Sequence, residues 1–162
     1  MFSLRRRSRH RKGVEILEFA MMLPLFFSIV MGIIEFGRGF EVAQWLTASA
    51  REGARLAMLY NVISQKDKDK GITSGNQKIE TDIKNFLAAA SITEGVQVHI
   101  FPQGAAPSGS GSYPPFNIDD YSSNAGKYFT VRVTVPFAEV ALIDPIFMTD
   151  TLLSGEITVR HE

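Results

Sequence analysis

Gly13-Val14-Glu15-Ile16-Leu17-Glu18-Phe19-Ala20-Met21-Met22-Leu23-Pro24-Leu25-Phe26-Phe27-Ser28-Ile29-Val30-Met31-Gly32-Ile33-Ile34 is an apolar run with two acids near its start and a basic block behind it. Arg5, Arg6, Arg7, Arg9, Arg11 and Lys12 place six positive charges before it, and such a block stays on the cytoplasmic side of a membrane. From Phe19 to Ile34, sixteen residues carry no charge. A hydrocarbon core about 30 Å thick takes about 20 helical residues at about 1.5 Å rise each. The spanning helix must therefore run from Val14 to about Phe36, which draws Glu18 into the bilayer. An acid about one turn inside the interface is less costly than one at the centre, but it still calls for a partner.

A cut after Gly13 would supply that partner, because it frees an ammonium on Val14 that a neighbouring subunit can present to Glu18. Desolvation strengthens such a pair and penalises an unpaired acid. Glycine before the cut suits a protease that draws extended backbone into its cleft, since it has no side chain and free backbone angles. The pattern reads as a prepilin peptidase site, with Gly13 and Val14 flanking the cut and Glu18 and Phe19 serving processing and assembly. A tilted signal anchor with an interfacial Glu is the competing reading of the same segment. Ala48-Ser49-Ala50 has the small-x-small form of a signal peptidase site. Glu35, Arg38, Glu41 and Gln44 separate it from the apolar run, which disfavours a cleaved secretory signal.

Four motifs in order resemble the TadE-like family, minor pseudopilins of tight-adherence (Flp, type IVb) pili. They are Glu18-Phe19-Ala20 with Leu23-Pro24, Gly32-Ile33-Ile34-Glu35-Phe36-Gly37-Arg38, Ala50-Arg51-Glu52-Gly53-Ala54-Arg55, and the ending Val159-Arg160-His161-Glu162. Glu15 departs from the small apolar residue that is more usual there. The resemblance implies a noncatalytic subunit, without cofactor, made as a precursor whose leader 1–13 is removed by a prepilin peptidase. It further implies that the subunit initiates or organises filament growth with the major pilin and another minor pseudopilin, on an inner-membrane platform. The expected location is the cytoplasmic membrane, single-pass in lipid, with the N-terminus cytoplasmic and the head periplasmic or extracellular.

The chain of 162 residues has formal net charge zero and no cysteine. Without residues 1–13 it keeps eleven of its seventeen basic residues and all seventeen acids, a formal −6. Nucleic acid is thereby excluded as an expected partner. Absence of cysteine rules out disulfides but does not by itself assign a compartment.

Beyond the membrane, Phe36, Phe40, Ala43, Leu46, Ala50, Ala54, Ala57 and Tyr60 recur at helical spacing, predicting an amphipathic continuation of the stalk helix over 37–63. Ala50, Gly53, Ala54 and Ala57 form a smooth seam, suited first to this chain's own head and alternatively to another element. Glu35 with Arg38 and Glu52 with Arg55 are spaced as local helical pairs. Glu35, Arg38, Arg51 and Glu52 are also candidate subunit contacts.

Residues 64–162 read as an α+β head in the pilin manner. Gln65 to Gly75 is a polar connector, and Ser74 caps a second helix to about Ala90 that should cover the sheet. Val96–Ile100, Phe129–Val135 and Leu153–Arg160 alternate as strands of a three-stranded antiparallel sheet, with Thr130, Arg132 and Thr134 outward. Residues 102–127 read as a flexible loop too polar for core. In it, Tyr113, Phe116 and Tyr121 suit either a partner or the domain beneath, and Asp119-Asp120 read as solvated acids rather than a cation site.

The three histidines, His10, His99 and His161, form no nucleophile-base pair or metal motif by spacing, and no glycine-rich phosphate loop is present. An enzyme is not expected. The alternative from another class is a permanently membrane-anchored periplasmic binding or adhesion domain that recognises its target through the long loop.

Overall fold

The computed structural model describes residues 11–58, 63, 65–106 and 113–161. The basic residues from Arg5 to Arg9 therefore lie outside the described residues, as do Tyr60 and the tip of the long loop. The apolar run and its amphipathic continuation form one helix, α1 (Arg11–Ala57). Its two halves live in different surroundings. From Val14 to Ile34 no residue is buried, whereas Val42, Leu46, Ala50, Ala54 and Ala57, three or four apart, are at most 1 % exposed. Helical order ends at Ala57, short of the predicted Ile63. Met58 closes a last turn on the Ala54 carbonyl at 3.2 Å, and Ile63 is outside any helix.

A short helix, α2 (Gln65–Asp69), leads into α3 (Gly75–Ala88). The Ser74 side chain accepts from the Gln77 N–H at 3.2 Å, as its position before the apolar pattern predicts. A second cap comes from far along the chain: Asp119 Oδ2 accepts from the Gly75 N–H at 2.8 Å. Lys78 joins α3 to α2 by pairing with Asp82 at 2.8 Å and Asp67 at 3.2 Å. Those two carboxylates, Asp82 foremost, hold the Lys78 ammonium above its usual range.

Strands β1 (Gln97–Pro102), β2 (Tyr128–Pro136) and β3 (Leu152–Arg160) form an antiparallel sheet in that order. Between β1 and β2 a single turn, α4 (Tyr121–Asn124), is held by Asp120, whose Oδ1 accepts from Ser122 Oγ at 2.9 Å and from the Ser123 N–H at 3.2 Å. The Tyr121 side chain lies outside the described residues. The α+β fold with one further substantial helix and a three-stranded antiparallel sheet is as expected.

Two packing expectations are corrected. The helix lying over the sheet is α1, which packs on β2 and β3, while α3 packs chiefly on α1 and only touches β1. The α1–α3 seam closes at Gly53, where a Cβ would stand 2.4 Å from Ile83 Cδ1. The smooth stripe thus serves this chain's own head. Secondly, Thr130 and Thr134 are buried, although the alternation of β2 turns them away from the helices. As the central strand, β2 has neighbours on both sides: Thr130 faces Phe101 and Thr158 in the register, and its hydroxyl bonds that of Thr158 at 2.8 Å.

The long connection before β2 also contributes to the core. Phe116 and Ile118 are buried, with Phe116 stacked on Phe129 at 5.0 Å. Their backbone is held by Asn76, whose Nδ2 donates to the Phe116 carbonyl at 2.7 Å while its Oδ1 accepts from the Ile118 N–H at 3.1 Å. Tyr113 stacks on Phe101 at 4.1 Å, beneath the Arg132 guanidinium. On that outer face Arg132 is paired with Glu156 and hydrogen-bonded to the Tyr113 hydroxyl.

Candidate functional site

The cleavage and assembly residues lie in the part of α1 that the head leaves bare. Val14 is 53 % and Phe19 66 % exposed, and Glu18 is exposed between them. Helical geometry places Val14 and Glu18 one turn apart on one face. Gly13 is helical, the third residue of α1. A peptidase that binds extended backbone must unwind this turn. Glycine, about 1 kcal/mol poorer than alanine in a helix, and a first turn whose N–H groups lack intrahelical partners make that unwinding inexpensive.

At the other end of the apolar run, Glu35 is buried by its own chain. Its carboxylate accepts three consecutive backbone N–H groups, from Ile146 at 2.6 Å, Phe147 at 2.9 Å and Met148 at 3.2 Å. The segment follows Asp144-Pro145 and runs into a turn at Thr149-Asp150, so successive amides converge into a concave anion cradle. The local Glu35–Arg38 pair expected from their spacing is not the arrangement adopted. Arg38 instead bonds Glu41 at 2.9 Å and donates through Nε to the Val140 carbonyl at 3.0 Å. Both residues therefore clasp the segment between β2 and β3 to α1, more than a hundred positions away in the chain.

Arg51 and Glu52 lie further along α1. Arg51 is exposed, and Glu52 is half-buried in a bidentate pair with Arg55 at 2.6 and 3.0 Å. That hydrogen-bonded guanidinium keeps the Glu52 carboxyl below its usual range. An exposed pair of this kind adds a few tenths of a kcal/mol to the helix. Of the four candidate contacts, then, Glu35 and Arg38 are engaged within the chain and Arg51 and Glu52 stand at the surface.

Sequence reasoning missed the cradle at 146–148 and the burial of His161. The His161 ring packs 6.0 Å from both Phe116 and Phe129, with Nε2 3.0 Å from the Ile118 carbonyl. His99 sits in β1 with its ring 5.5 Å from that of Tyr113. Asp119, which is exposed, and Asp120, which is half-buried, also serve as caps. Among the described residues no group of three or more His, Asp or Glu side chains is placed to hold a metal ion.

Removing the Glu35 carboxylate should free the clasped segment. Hydrogen bonds to a charged group contribute about 1.5–3 kcal/mol each, so Glu35→Ala should speed amide exchange at Ile146, Phe147 and Met148 by roughly ten- to a hundredfold. Hydrogen exchange on the detergent-solubilised protein reads this directly, with Glu35→Gln falling between. Unchanged exchange at those three amides would show that the cradle does not hold the segment.

Among the described residues one helix is long and apolar enough to cross a membrane, Gly13–Ala57, and its most apolar window is not covered by the other described residues. It fits a single-pass anchor. Searches of curated proteins and of solved structures returned no match. Residues 13–55 match the family model described as TadE-like protein, so the stretch from the proposed cut through the stalk is TadE-like, as its motifs indicated.

Proposed function

We propose that this protein is a noncatalytic minor pseudopilin that initiates or organises assembly of a tight-adherence type IVb pilus after prepilin-peptidase cleavage at Gly13-Val14. Residues 14–36 hold it in the cytoplasmic membrane with the head outside, next to the assembly platform. Glu18 receives the Val14 ammonium of a neighbouring subunit, the major pilin or another minor pseudopilin. The observation that carries this reading is the contrast along α1. The head buries one face of the helix from Glu35 onward, while Glu18 and its neighbours from Val14 to Met22 are left exposed. A carboxylate on an apolar helix with no partner among the described residues is suited to an intermolecular one.

The anchored binding or adhesion domain is the second reading, and it relies on the aromatic residues of the long connection. Tyr113 and Phe116 are stacked within the head, which removes the two described aromatics that reading would use. The deciding measurement is the intact mass and N-terminal residue of membrane-extracted protein from cells with and without an active prepilin peptidase. A peptidase-dependent start at Val14 is expected. A retained basic leader in both strains would overturn the pseudopilin and leave an anchored domain.

A further inference from the structure

We propose that the segment 141–148 between β2 and β3 is a second membrane-contact surface, which dips into the outer leaflet and seats the head on the bilayer. The proposal rests on the reading that α1 spans a membrane. Leu142, Ile143, Ile146 and Phe147 are 72, 50, 61 and 50 % exposed, an unusual concentration of bare apolar side chains in one short segment of a head domain. Their position relative to α1 is held by named contacts. Arg38 fixes the Val140 carbonyl, Glu35 fixes the amides of 146–148, and the Phe147 ring comes within 3.7 Å of a Cβ built at Gly32.

Those contacts set the depth. Gly32 lies eighteen positions beyond Val14, about 27 Å of helix axis at about 1.5 Å each. With Val14 at the cytoplasmic edge of a hydrocarbon core about 30 Å thick, Gly32 and the Phe147 ring beside it lie within the outer edge of that core. The bare surface of 142–147 is then continuous with the bare apolar surface of the spanning helix, and the same lipid covers both.

The hydrogen bonding fits this location. Non-helical backbone at membrane depth must have its polar groups satisfied by protein, and the three amides of 146–148 are satisfied by Glu35. The same contacts remove the penalty of an unpaired carboxylate at the end of the span. Asp144 is the one charged residue in 141–148, and it is exposed. It confines the segment to the interfacial zone, with the carboxylate among headgroups and the four apolar side chains below them.

The test uses the absence of native cysteine. Single-cysteine variants Ile143→Cys and Ile146→Cys of the full chain, spin-labelled, are reconstituted at low protein density in phosphatidylethanolamine–phosphatidylglycerol vesicles. Collision with oxygen is compared with collision with a water-soluble nickel chelate. Ile29→Cys reports the spanning helix and Gln103→Cys, in the turn after β1, reports the far end of the head. The expected oxygen-to-chelate ratios at 143 and 146 match that at 29 and exceed that at 103 several-fold. Ratios matching 103 while 29 reads as lipid would overturn the proposal and leave the span intact. Shielding from both reagents that rises with protein density would assign the surface to a second copy of this chain instead. A water-like label at 29 would overturn the membrane reading itself.

Discussion

Gly155→Val is expected to unfold or loosen the head, although by strand propensity alone it should strengthen β3. In the register, Val98, Val133 and Gly155 form one row across the sheet, on the face that α1 covers. A Cβ at Gly155 would stand 2.3 Å from the Thr47 nitrogen, 2.4 Å from the Leu46 carbonyl carbon and 2.7 Å from the Leu46 oxygen. All three are backbone atoms of a helix, so no rotamer change relieves the clash. The helix must move out by an ångström or more, opening the contacts that bury Val42, Leu46 and Ala50 against Val131, Val133 and Leu153. Overpacking of this kind costs typically about 1–3 kcal/mol and occasionally more. With rigid backbone as the obstacle, valine should reach or exceed the top of that range, against total stabilities of about 5–15 kcal/mol. The opposing gain from β propensity is at most about 1 kcal/mol. Near-ultraviolet circular dichroism of the full chain in micelles during urea titration measures the loss. Gly37→Ala, an exposed site on α1 with nothing within 4 Å of its Cβ, is the control. Equal midpoints for Gly155→Val and the parent would show that the strand and helix do not approach as closely as described.

That glycine shows where sequence reading stopped. Features written in local periodicity were legible: the uninterrupted apolar run of α1, the Ser74 cap of α3 and the alternation of the three strands all appear at their expected places. Each rests on residues within a few positions of one another. What was not legible depends on contacts between distant segments. Glu35 had an arginine three residues on, and local pairing was the sensible expectation. The actual partners lie 111 to 113 positions away, at Ile146, Phe147 and Met148, and are backbone amides, which leave no trace in residue identity. Phe116 and Ile118 lie in a polar, proline-rich connection whose composition masks two core positions and the Asn76 contacts that hold them. Gly155 left one faint signal, since glycine inside a strand marks close approach of another backbone.

Of the proposed assembly residues, Glu18 should give the largest effect in cells. Glu18→Ala removes a charge from the apolar helix, so insertion into the membrane should be unchanged or easier, and the head should fold as before because residues 14–18 are exposed among the described residues. Cleavage after Gly13 should still yield Val14. What disappears is the acceptor for a neighbour's new ammonium. Removing one partner of a buried ion pair costs about 3–5 kcal/mol, and at a joint between subunits that amounts to roughly a hundred- to a few-thousandfold in the equilibrium for adding the next one. Filament number per cell, counted by electron microscopy, should then fall to near zero at normal protein abundance in the membrane fraction. Glu18→Gln separates charge from size: if the pairing is ionic it should behave like alanine, and if the side chain merely fills space it should pilate normally. Normal filaments with Glu18→Ala would remove the basis for an intermolecular role and favour a helix that serves as a tether.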